Sequence, residues 1–450
     1  MEPATLRAAR ARVGRTIVVG AGLAGLAAAE ALSREGREVL VLEASPKAGG
    51  RCRTYHDERL GRDIDNGNHL ILSANQAVLR WAERIGGTGA LEVQPEAAFP
   101  FFDVARGERW TLRLSRLLGA LRAEARPPGV GARAILRDLA AVLAAPKGRT
   151  VAEAVRTRGA LWHRFWDPMV RAILNEDPAE GDAALMRAVL LRTFARGAGA
   201  CRPVLAPRGL GAALVDPALG LLERRGVRID LRKPVQAVER VSGSVTALAL
   251  RGERIAIGPD DAVILALPAA QTADLAPDLD LPGAGKSILN AHFVLPHSGL
   301  PTVLGLVGAD AQWLFRRGDV VSVTVSATER SGLDGLDRDA ALARLWTDVA
   351  AAVRAHGGAC PAVMPAARLI RERAATFDQT PAGSACRHGP RTDWANLFLA
   401  GDHTATGLPA TLEGAILSGE RAAMLALGQG WAAPVAVEHR VQRAELREEP

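Results

Sequence analysis

Residues 16–25 read TIVVGAGLAG, and the fold is decided there. Thr16-Ile17-Val18-Val19 is a short β-branched run with the composition of a buried strand. Gly20, Gly22 and Gly25 follow in the spacing GxGxxG, and an alanine-rich helix continues to about Arg34. Gly36 stops that helix, and Val39 to Leu42 forms a second strand ending at Glu43. Strand, turn, helix and strand in this order make a βαβ unit. Gly20 permits the tight turn, Gly22 lets the backbone approach a pyrophosphate, and Gly25 lets helix pack close on strand. The anion then rests on the amides of the helix N-terminus. Glu43, 18 residues after Gly25 and at a strand end, is placed to accept ribose hydroxyls. The unit therefore predicts dinucleotide binding.

Outward from this unit, Val78 to Arg196 reads as helical, with Leu112, Leu114, Leu117, Leu118 and Leu121 on one face and Arg113, Arg116 and Arg122 around them. β-type runs return at Val227–Leu231, Val235–Val241 and Ala262–Leu267. Val320–Val325 alternates apolar and polar, the pattern of a half-exposed strand. A last strand, Leu397–Ala400, runs into Gly401-Asp402 and a helix from about Leu412. Strands suited to a nucleotide domain thus occur at the start, middle and end. The expected architecture is α/β: a Rossmann-like domain built from 14–75, 203–268 and 390–428, with an inserted α+β domain from 76–202 and 269–389.

The 450 residues are 48% hydrophobic and 23% charged, which excludes a mainly disordered or fibrous chain. The formal charge of +7 favours anionic partners, but acidic residues are interspersed throughout, and no basic patch interleaved with aromatics marks nucleic acid. Cys52, Cys201, Cys360 and Cys386 are scattered, which argues against a metal or disulfide scaffold and fits a reducing cytoplasm. The longest apolar run, Ile17–Ala29, is shorter than the ~20 residues of a spanning helix. The leucines and arginines of 111–145 suit either a peripheral membrane contact or an ordinary amphipathic helix.

Glu43-Ala44-Ser45-Pro46-Lys47-Ala48-Gly49-Gly50-Arg51 resembles the extension of the dinucleotide fold in FAD proteins of the amine-oxidase and carotenoid-desaturase superfamily. Residues 397–419, LFLAGDHTATGLPATLEGAILSG, carry a second resemblance to it. The resemblance implies FAD, held by Gly49, Gly50, Arg51, Val235, Gly401 and Asp402 besides the first glycines. It also sets the segment Thr411, Leu412, Glu413, Gly414 and Ala415 under the flavin as a helix N-terminus. No second GxGxxG with an acidic strand end is present, so the flavin is expected to receive electrons from an external reductant or reductase, or from the substrate.

Asp65-Asn66-Gly67-Asn68-His69, Phe165-Trp166-Asp167-Pro168, Gly305-Leu306-Val307-Gly308 and Gln312-Trp313-Leu314-Phe315 lie outside the nucleotide motifs. With the GLPATLEGA segment they resemble the hydroxysqualene dehydroxylases, collinearly from about Arg15 to Leu427. That implies replacement of the allylic hydroxyl of a long isoprenoid by hydride, in a deep hydrocarbon pocket touched by Asn68 and Trp313. His69 is the candidate proton donor, with the alternative that it only hydrogen-bonds backbone or flavin. Asp65 either orients it or caps a turn, and Glu413 is a second candidate acid. His403 and His292 are lesser candidates, the first structural or beside FAD. The family usually has Gln at the position of Asn68, a departure that bears on the substrate if the position lines the pocket. A carotenoid desaturase, a flavin amine oxidase and a non-catalytic prenyl-binding protein are the rival readings.

Overall fold

The structure is a computed structural model that describes residues 14–113 and 126–429. Thr16–Val19 lies at the centre of a five-stranded parallel sheet, between Val39–Glu43 and Ala262–Leu265, with Arg228–Leu231 and Leu397–Leu399 at the edges. The chain leaves and re-enters this sheet, so its strands come from three separated stretches of sequence. Thr16–Val19 and Ala262–Leu265 are buried on every residue because the sheet is covered on both faces. One face carries the helices Leu23–Arg34, Asp216–Arg224 and Leu412–Ala426; the other carries the three-stranded sheet Val235–Val241, Ser244–Leu250 and Glu253–Ala256.

A seven-stranded sheet forms the second layer, in the order Ala367–Glu372, Ile288–Val294, Val320–Ser326, Trp313–Arg317, Val303–Val307, Ala98–Asp103, Glu108–Arg113. The helical reading of 78–196 fails here. Phe99 and Phe101 face one core while Phe102 is buried in the core on the other side of the sheet; they pair with Leu112 and Trp110, and Phe101 joins the sheet opposite Gly305. Leu112 belongs to this strand, and Leu114, Leu117, Leu118, Leu121, Arg116 and Arg122 lie outside the described residues. The expected boundary at 76 also shifts: the helix Gln76–Ile85 buries Ala77, Val78 and Trp81 in the core of the first layer, and Trp81 Nε1 donates to Leu214 O at 3.0 Å.

Val320–Ser326 is buried on every residue, not half-exposed. Its valines Val321, Val323 and Val325 pack under the helix Arg338–Ala355. Ser322, Thr324 and Ser326 cover the opposite face, turned toward the first layer and away from water. Burying a hydroxyl without a partner costs about 1–3 kcal/mol, so each must be bonded or serve a ligand. This polar face is where the two layers meet.

Candidate active site

The helix Leu23–Arg34 begins at Gly22, whose backbone is extended and which offers no side-chain cap; its first turn contains no acidic residue. Its first amides are left for an anion. A methyl group placed on Gly25 would stand 1.9 Å from Gly20 O, so only glycine lets the helix seat on the turn, whereas one placed on Gly22 meets nothing within 4 Å. The open side of Gly22 is the space a pyrophosphate needs, and the Gly49-Gly50 turn closes over it, with Gly50 facing the Gly22 Cα. Gly49 N donates to Ala21 O at 2.8 Å, fixing that turn. The Glu43 carboxylate accepts from the Ala21 amide at 2.7 Å and from the Ser45 amide and hydroxyl at 2.8 Å. Val235 lies close by, two residues beyond Lys233, whose amide donates to Glu43 O at 2.8 Å.

Arg51 joins this cradle to the C-terminal segment. Its Nη2 donates to Asp402 Oδ1 at 2.8 Å and its Nη1 to Ala375 O at 2.6 Å. Burial alone would push the Asp402 carboxyl up, but the charge and hydrogen bond of Arg51 outweigh it and hold the carboxyl below its ordinary value. Gly401 has φ +141° and its amide donates to Ser418 Oγ at 3.0 Å, fixing the turn into the last helix. Thr411 caps that helix by accepting from Gly414 N at 3.1 Å, and Leu412, Gly414 and Ala415 form its first turn. Glycine cradle, uncapped amides, strand-end carboxylate and second helix N-terminus together fit a dinucleotide flavin such as FAD.

The DNGNH stretch is a seam between the layers. Asp65 accepts from Leu210 N at 3.2 Å, from the Thr54 hydroxyl and from Arg317 on the large sheet. Asn66 reaches Glu372 at 3.3 Å, and Asn68 reaches Thr324 at 3.0 Å and Asn290 at 3.3 Å. Asp65 thus spends its carboxylate on the ion pair with Arg317 and on Thr54 and Leu210, none of them His69. His69 Nδ1 lies 3.0 Å from Gly67 O. A carbonyl only accepts, so Nδ1 carries the hydrogen and Nε2 is the atom that titrates. Burial lowers its pKa below the ordinary histidine value.

Glu413 is a correction of a different kind. Its buried carboxylate accepts from Ala77 N at 2.9 Å and Val78 N at 3.1 Å, capping the start of the helix Gln76–Ile85. Burial raises its pKa against these two amides, but both oxygens are turned into the protein frame. It is an anchor, not an acid facing a substrate. His403 is fully buried beside Asp402 with neither ring nitrogen hydrogen-bonded, and burial lowers its pKa to about 4. His292 bonds Ser322 Oγ at 2.8 Å, leaves Nε2 without a partner, and is held at about 3 by burial.

Beside His69 the large sheet turns from polar to aromatic. Phe101 stacks on Trp110 at 5.4 Å and meets Trp313 edge-on at 5.4 Å. Leu70, Leu72, Phe194, Leu205, Phe315 and Ala410 pack against this cluster while remaining partly exposed. Leu70 follows His69 and Ala410 precedes Thr411, so this apolar cluster touches both the seam and the start of the last helix. The motif residues Asp167, Pro168, Gly308 and Gln312 gather elsewhere, around a 580 Å³ cavity whose Arg164 and Arg171 are ion-paired to Asp103 and Asp167. Sequence reading missed Asn290 and Thr324; the buried polar alternation of 320–326 was the signal available for the second.

Residues 23–427 match the family described as flavin containing amine oxidoreductase. The chain is 41% identical over 420 residues to the hydroxysqualene dehydroxylase of Rhodopseudomonas palustris, covering 92% of this chain and 98% of that protein. It is 41% identical over 416 residues to that of Sinorhizobium fredii, covering 92% and 98%. Among solved structures, cyclohexylamine oxidase from Brevibacterium oxydans shares the fold, with a TM-score of 0.67 at 15% identity over 92% of this chain and 99% of that one.

Proposed function

The chain belongs to the flavin-containing amine oxidoreductases and, within them, to the hydroxysqualene dehydroxylase family, and from that membership we propose that it converts hydroxysqualene to squalene and water. The observation that supports the reading is 41% identity to a hydroxysqualene dehydroxylase over 92% of this chain and 98% of that protein. The protein is an FAD-dependent oxidoreductase. FAD would be held by the glycines at 20, 22, 25, 49 and 50 with Glu43, Arg51, Val235, Asp402 and the amides from Thr411 to Ala415; bound and reduced, it supplies hydride transfer.

The rest falls to the chain. The leaving hydroxyl needs a proton as its C–O bond breaks, and His69 Nε2 is the atom we assign to it, because Nδ1 is fixed on Gly67 O. Burial makes the protonated ring a stronger acid and a scarcer one at neutral pH. Phe101, Trp110, Trp313 and the leucines exclude water from the reacting carbon and hold the hydrocarbon, at about 0.8 kcal/mol for each buried CH₂.

The electrons come from a reductant outside the chain. No helix among the described residues is long and apolar enough to cross a membrane. A peripheral contact is served by the helix Ala132–Ala144, whose Leu136 and Leu143 are about two-fifths exposed on one face beside Arg133 and Arg137. The experiment that tests the function is product analysis: loaded, dithionite-reduced protein with hydroxysqualene yields squalene. Oxidised protein that instead adds double bonds to a phytoene-like polyene would replace this reading with desaturation.

A further inference from the structure

The meeting of the seam with the polar sheet face leaves a specific pair of atoms unused. Asn290 and Thr324 are opposite one another in the antiparallel pair Ile288–Val294 and Val320–Ser326. Asn290 is 1% exposed and Thr324 8%. Asn68 Nδ2 donates to Thr324 Oγ1 at 3.0 Å and to Asn290 Oδ1 at 3.3 Å, and the threonine hydroxyl donates to the same Oδ1 at 2.9 Å. Two donors fill the Asn290 oxygen, and both Asn68 amide hydrogens are spent. Asn290 Nδ2 and Asn68 Oδ1 have no hydrogen-bond partner among the described residues. One is a donor and the other an acceptor, the complement of a single hydroxyl.

Their position matters as much. A methyl group placed on Gly67 would stand 3.8 Å from Asn290 Nδ2, 3.5 Å from His69 Cε1 and 4.0 Å from Arg51 O. The free amide of Asn290 and the ring of His69 thus border one point, next to the residue that closes the cofactor cradle. Asn290 Nδ2 is therefore a donor left open to a ligand on a residue that is otherwise almost wholly buried. Resting on the dehydroxylase reading, we propose that Asn290, held in place by Thr324 and Asn68, is the residue that recognises the substrate's hydroxyl. Asn290 Nδ2 donates to the hydroxyl oxygen, Asn68 Oδ1 accepts its hydrogen, and the oxygen is presented to His69. The aromatic cluster holds the chain of the substrate, and this amide pair reads its one polar group.

The test uses FAD-loaded, oxidised protein, which binds without turnover, and compares hydroxysqualene with squalene in the same detergent. Affinity is read from the change each ligand makes in the bound flavin's absorbance. Wild type is expected to hold the alcohol more tightly than the hydrocarbon. Asn290→Leu, close in volume, is expected to weaken the alcohol about tenfold while squalene changes less than about twofold. Thr324→Val, which unlatches Asn290 without altering shape, should give the same selective loss in smaller measure and serves if the first variant does not fold. An equal loss for both ligands, or none for either, would overturn the assignment of Asn290. A wild type that binds neither ligand and makes no squalene would overturn the dehydroxylase reading and this proposal with it.

Discussion

Arg51 and Asp402 stand 351 residues apart and meet at 2.8 Å, so that one ion pair ties the glycine cradle to the segment that follows the strand Leu397–Leu399. The carboxylate is 8% exposed and the guanidinium 31%. Removing one member strands the other in a poorly hydrated place. Asp402→Asn is expected to cost about 3 kcal/mol of stability and to weaken FAD at least roughly tenfold. Thermal unfolding with and without FAD, and fluorescence titration of the flavin, check both. Unchanged unfolding in both states would show the pair to be ornamental.

Two glycines of one motif should behave oppositely. Gly22→Ala places a methyl group in open space, so the empty protein keeps its stability to within about 0.5 kcal/mol. Its FAD affinity is expected to fall sharply, because the pyrophosphate needs that space. Gly25→Ala drives a carbon against Gly20 O and is expected to cost ~3 kcal/mol before any cofactor is added. Denaturant unfolding of both apoproteins separates the two roles.

Proton delivery from His69 gives a definite pH dependence. Burial lowers its pKa, so at any given pH less of it is protonated than of a free histidine. Single-turnover rates should therefore rise as pH falls, with an apparent pKa below that of a free histidine. His69→Gln should lose that limb along with most of the rate. A profile flat from pH 5 to 8 in the wild type would remove His69 from the acid's role.

Glu413 should behave as a cap. Glu413→Gln keeps an acceptor for the Ala77 and Val78 amides and is expected to remain active with the same pH limb. Glu413→Ala leaves those amides bare in the interior and should destabilise the protein by about 2 kcal/mol. Rate profiles of the glutamine variant decide the matter, since an acid at this position would leave it inert.

Acid stability follows from two buried neutral histidines. His403 and His292 titrate at about 4 and about 3 in the folded chain, and near 6.5 once unfolded. Above 6.5 both states are neutral and neither residue matters. Below it the unfolded chain takes up protons that the folded one refuses, so stability falls as pH drops, by up to ~1.4 kcal/mol per pH unit for each histidine, and levels off near the folded values. Urea unfolding from pH 8 to 4 should show this slope, and His292→Asn should lessen it.

How much of this was legible in the sequence depends on distance along the chain. The cradle is local: Gly20, Gly22, Gly25 and Glu43 lie on one βαβ unit, and their spacing carries the chemistry. The strands Ala98–Asp103 and Glu108–Arg113 were hidden because a leucine-and-arginine run beginning at Leu112 imitates a helix. Ser322 and Thr324 read as solvent-facing because alternation cannot tell water from a second polar layer. Glu413 read as a helix-start carboxylate, and its true partners, Ala77 and Val78, lie more than 300 residues away. Asn290 carried no signal at all, since its meaning arises only when Asn68 arrives beside it.

The most direct measurement is an anaerobic titration. The FAD-loaded protein is reduced with dithionite, hydroxysqualene is added in substoichiometric steps, and flavin absorbance and extracted squalene are followed together. The expected result is one flavin reoxidised for each squalene formed, until the substrate is spent. A flavin that stays reduced while the alcohol is recovered unchanged would contradict the assignment of this chain as a reductive dehydroxylase.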